Sequence, residues 1–141
     1  MRYALLLAVL LLGGCRHNPL ALDGAMRVTP TSQHYEIWQE VEECIAPTQS
    51  RLEFDEIQWY VVMNGEDYIE SGACPVTGCA GLFRMWEKAI YLDDEYERHD
   101  LVIGHEIMHA MIGDGDHCSP LWDRCGVRGV EACTPTTGRA D

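Results

Sequence analysis

The chain has 141 residues, 47% of them hydrophobic, and a formal net charge of -13 at pH 7. That length suits one domain, and the apolar content excludes a chain that is disordered throughout. A surface this acidic repels phosphate backbones, which excludes nucleic acid as a partner.

Arg2 and the apolar run from Tyr3 to Leu12 have the layout of a secretion signal, too short to cross a bilayer as a helix. The run ends in Leu12-Gly13-Gly14-Cys15, which resembles the lipobox of bacterial lipoproteins. That resemblance implies that residues 1–14 are a cleaved signal peptide and that Cys15 carries lipid. The protein is then expected in the bacterial cell envelope, anchored to membrane through Cys15. Arg16 follows the cysteine, and under the lipoprotein sorting rule nothing retains the chain at the inner membrane. The alternative is an ordinary cleaved signal with an incidental cysteine. Cys44, Cys74, Cys79, Cys118, Cys125 and Cys133 remain, an even number that predicts up to three disulfides in a short exported domain. Cys74 and Cys79 enclose Pro75 and Gly78 and read as a local staple. The other pairings are open.

Residues 15–31, with Pro19, Gly24 and Pro30, predict a tether, which leaves residues 32–141 for the folded domain. Ser32 can cap a helix in which Ile37, Val41 and Ile45 recur beside Trp38, and Pro47 ends it. Within this helix His34 reads as a surface residue. Phe54 to Met63 is rich in aromatic and β-branched residues and predicts a strand closed by Asn64-Gly65. A second strand pair is predicted at Leu82–Met85 and Ala89–Leu92, turning near Glu87-Lys88, with Tyr91 as a packing residue. Asp93-Asp94 predicts the start of a helix running from about Glu95 to Ile112, with Gly113 as its left-handed stop. His99 is expected to face away from the later histidines. The stretch after His117 is rich in glycine and cysteine and reads as irregular. The pattern is α+β: two main helices against a small, mostly antiparallel sheet, with a disulfide-held C-terminal segment.

The residues that carry chemistry lie on the second helix. His105-Glu106-Ile107-Met108-His109 fits H-E-x-x-H. Side chains four apart on a helix share a face one turn apart, so both imidazoles can reach one ion. Zinc takes neutral imidazole, and a catalytic site uses three protein ligands and an open position. Glu106 lies beside that face and can move a proton. With six histidines in 141 residues, the motif arises by chance roughly 0.02 times. The competing reading is two surface histidines on an amphipathic helix. A third ligand must come from beyond His109. Gly113 and Gly115 let the chain reverse and bring His117 back. Asp114 and Asp116 are rival ligands, or groups that orient a ligand imidazole. Zinc's preference for imidazole favours His117.

From about residue 89 to 117 the chain resembles the zincin metallopeptidases, with a strand, an active-site helix and a turn bearing a third histidine. The resemblance implies a small zincin-like domain holding Zn2+ on His105, His109 and His117. It implies hydrolysis of a peptide or protein substrate through a zinc-bound water, with Glu106 as general base. It also implies that the strand before the helix, Ala89 to Leu92, pairs with extended substrate. Metzincins place the glycine three and the third histidine six residues after the second histidine. Here Gly113 and His117 stand four and eight residues after His109, and no methionine follows Met111 to form a Met-turn. The likeness is therefore to zincins at large. Two further readings stay open: a non-catalytic zinc-binding lipoprotein, and a metal-free, disulfide-stapled interaction module.

Overall fold

A strand covered on both faces needs apolar residues along its whole length, and two segments meet that need. They are Gln58–Val62 (β2) and Ala89–Asp93 (β4), almost wholly buried. In the computed structural model they pair in parallel at the centre of a four-stranded sheet, ordered β1-β2-β4-β3. Ala25–Val28 (β1) and Gly81–Arg84 (β3) flank them, each antiparallel to its neighbour. The structure describes residues 22, 24–46, 50–63, 79–113 and 117–129. The leader, Cys15 with residues 16–21 and 23 of the tether, Asn64-Gly65, Cys74, Asp114, Asp116 and Cys133 lie outside the described residues.

Among the described residues three helices accompany the sheet: Ser32–Ile45 (α1), Asp100–Ile112 (α2) and the short Leu121–Arg124 (α3). The fold is α+β with a mixed, mostly antiparallel sheet, as the residue pattern indicates. Alternation along the strands divides two clusters. Trp59, Ile90 and Leu92 face α1 and α2 and pack with Trp38, Val41, Ile103 and Ile107. Tyr60, Val62, Ala89 and Tyr91 form the opposite face, where the two tyrosine rings stack at 4.9 Å.

Several expectations are corrected. Ala25–Val28 were assigned to the tether, but they cover the outer edge of β2 from Val28↔Trp59 to Ala25↔Val62. A central strand leaves a row of N–H and C=O groups that a neighbouring segment satisfies. The strand expected from Phe54 starts at Gln58, because Phe54–Glu56 form a 3-10 turn. The Glu53 N–H donates to the Glu56 carboxylate at 2.9 Å, and Phe54 packs edge-on against Tyr35 and Trp38. The second main helix starts at Asp100, not near Glu95. Asp93 is the last residue of β4, fully buried, and its carboxylate accepts the Glu95 N–H at 3.1 Å. That local bond favours a turn over a helical start.

His34 was expected at the surface, but it is 2% exposed. It shares the buried stripe of α1 with Ile37, Trp38, Val41 and Ile45. Its ring meets Trp59 edge-on at 4.7 Å, and its Nδ1 accepts the Thr31 N–H at 3.3 Å, which caps the helix. Burial pushes the His34 pKa down, and the Glu97 carboxylate opposes this only in part. The folded protein thus prefers the neutral ring, while the unfolded ring titrates near its ordinary value of about 6.5. His34's contribution to stability is complete above that pH and is lost as pH falls below it. The urea midpoint should therefore drop less in His34→Gln than in the wild type between about pH 7 and pH 5. Parallel pH profiles would refute this.

A disulfide joins Cys44, near the end of α1, to Cys125, the residue after α3, across 81 positions of sequence. Arg124 reinforces the junction by donating to the Cys44 carbonyl at 2.7 Å. Cys79 and Cys118 are also disulfide-bonded, so every described cysteine is oxidised. Among the described residues no helix is long and apolar enough to cross a membrane.

Candidate metal centre

Helix α2 turns Ile103, Ile107 and Met111 into the core. His105 and His109 are therefore carried on its flank, both half-buried. Gly113 ends the helix in the left-handed conformation (φ 65°), as expected, and its N–H donates to the His109 carbonyl at 2.9 Å. The chain then returns. His117, itself left-handed at φ 55°, brings its Nε2 to 3.0 Å from His105 Nε2 and 2.9 Å from His109 Nε2. The structure thus brings together the three histidines singled out in the sequence. Asp114 and Asp116 lie outside the described residues.

The donor set fits a zinc ion. His105 Nδ1 lies 2.9 Å from the Val127 carbonyl oxygen, which can only accept, so that nitrogen carries the hydrogen. The His105 Nε2 then presents its lone pair to the cluster, the protonation state a metal requires. Tetrahedral zinc with nitrogen ligands at roughly 2.0–2.1 Å sets those nitrogens about 3.3 Å apart. The observed separations are within a few tenths of an ångström of that value.

Glu106 is 4% exposed and sits against strand β3. A Cβ placed on Gly81 would lie 2.7 Å from Glu106 Cγ and 2.8 Å from its Oε1. The absence of a side chain at position 81 is what lets this carboxylate approach the strand so closely. The strand expected to pair with extended substrate does not qualify. Ala89–Leu92 belong to β4, which is already hydrogen-bonded to β2 on one side and β3 on the other. Among the described strands, β3 forms the outer edge nearest α2.

The segment after His117 completes the surroundings and was not anticipated. Trp122 is fully buried, with its ring centroid 4.8 Å from His105, 4.8 Å from His109 and 4.7 Å from His117. Arg128 donates to the His117 carbonyl at 3.2 Å and pairs with Asp123 at 3.1 Å. A glycine- and cysteine-rich stretch has no periodicity to reveal this. The only cue was a lone tryptophan between Cys118 and Cys125, too large and apolar for a solvated loop.

Other candidates fall away from the cluster. His99 is exposed at the N-terminus of α2, and His34 is packed against Trp59. Tyr91 lies in the cluster on the opposite sheet face, hydrogen-bonded to Glu87. Burial and that carboxylate hold its phenol well above the usual range, so it is a packing residue, as read from the sequence. Comparison of the chain with protein-family models, with curated proteins and with solved structures finds no match.

Proposed function

We propose that this chain is a zinc-dependent peptidase, with His105, His109 and His117 as metal ligands and Glu106 as general base. The observation that carries the reading is the convergence of three imidazole Nε2 atoms, and Glu106 follows the first of these histidines directly in sequence. His105, His109 and His117 would hold the zinc, which would supply Lewis acidity toward water and a carbonyl. Val127 holds His105 in the ligating tautomer through its backbone carbonyl. Glu106 takes the proton of the attacking water and hands it to the departing amine. The imidazoles are only half-buried, and among the described strands the backbone of β3 is the edge against which an extended peptide would align. In the same reading the protein is an exported lipoprotein, tethered to the cell envelope through Cys15.

Glu106→Gln tests the assignment, because glutamine keeps the shape and cannot take a proton. The variant should hold as much zinc as the wild type while cleavage of a mixed peptide library, followed by mass spectrometry, falls ~10²–10⁴-fold. Equal cleavage by both proteins would remove the mechanism. Zinc binding with no cleavage by either would support the non-catalytic metalloprotein instead.

A further inference from the structure

We propose that Trp122 is the positioning residue of the metal centre, an aromatic floor that sets the three imidazoles in register. This rests on the zinc reading above and adds a residue to it. The imidazoles come from two separate pieces of backbone, two from α2 and one from the turn beyond it. The indole meets all three at nearly equal distance, 4.8, 4.8 and 4.7 Å, with ring planes inclined at 40°, 61° and 68°. Inclined and edge-on contacts of this kind are the orientations that aromatic quadrupoles favour. A surface common to three rings fixes their mutual orientation, which neither the helix nor the turn can do alone.

The choice of tryptophan supports this role over simple filling. Its Nε1 is buried and has no hydrogen-bond partner among the described residues. An unpaired buried N–H is destabilising, and a leucine or methionine would fill core space without it. The fused two-ring side chain reaches three neighbours at once. The indole is also tied to the other support of the cluster. The Trp122 carbonyl accepts the N–H of Val127 at 3.2 Å, and the Val127 carbonyl holds His105. One turn therefore sets both the floor and the tautomer.

The test compares wild type with Trp122→Leu, Trp122→Met and Trp122→Phe, using Zn2+ competition against a chromophoric chelator and the visible spectrum of bound Co2+. Circular dichroism verifies that each variant is folded, and either aliphatic variant suffices if the other is not. The wild type should give the intense bands of four-coordinate Co2+. The aliphatic variants should bind Zn2+ ~10–100-fold more weakly, as other supports of metal ligands do, with weaker Co2+ bands. Phenylalanine should restore part of both. Wild-type affinity and an unchanged Co2+ spectrum in a folded aliphatic variant would overturn the floor while leaving the zinc reading intact. A wild type that binds neither ion would overturn both.

Discussion

His117→Ala should purify without zinc, where the wild type carries about one ion per chain. The side chain contributes a nitrogen within 3.0 Å of both helix imidazoles, so its loss leaves a two-histidine site. The fall in affinity should exceed the ~100-fold that follows loss of an outer hydrogen-bond partner. His105→Ala should do the same. Elemental analysis and chelator competition read both variants. Full stoichiometry in His117→Ala would transfer the third position to Asp114 or Asp116. A ligand that binds only the native state also stabilises it, by about 2.7 kcal/mol when present at 100 times its Kd. The wild type should therefore melt lower in chelator, and His117→Ala should not respond.

Removing the bridge with Cys44→Ser and Cys125→Ser together should be nearly as damaging to stability as loss of a large core side chain. The bond closes a loop of 81 residues. On the chain-entropy account, closure at that length contributes about 4.5 kcal/mol at 25 °C. That is a large part of the roughly 5–15 kcal/mol available to a typical domain. Urea unfolding of oxidised wild type against the double variant measures it. A difference below about 1 kcal/mol would show that the unfolded chain is already restricted around these positions.

What the sequence revealed, and what it hid, follows from the range of the interactions involved. Helix α1 was legible because its apolar residues recur with helical period, although its cap is Thr31 and Ser32, read as the cap, is its first helical residue. The hairpin of β3 and β4 was legible because β-branched and aromatic residues flank a polar turn. The two helix histidines were legible because their spacing is local, and Gly113 marked the return that delivers His117. Long-range pairing left no local trace. β1 was read as linker because strand β2, which it pairs with, lies more than thirty positions away. The central place of β4, and with it the wrong choice of substrate edge, depended on a parallel pairing to β2 that no periodicity encodes. His34 was misjudged because polarity outweighed its position on the apolar stripe. Trp122 and Val127 reach the histidines only through a fold held by a distant cysteine.

Cys125 lies between Trp122, which touches all three imidazoles, and Val127, which holds one of them. On the zinc reading, thiol chemistry at the bridge and ion uptake at the cluster would draw on one short stretch of backbone, and thermodynamic linkage would make their influence reciprocal. By whatever factor reduction of the bridge weakens zinc binding, bound zinc must disfavour reduction by the same factor. Loaded protein should resist dithiothreitol at concentrations that open the empty form. An oxidising compartment and a supply of zinc would then each protect what the other helps to build.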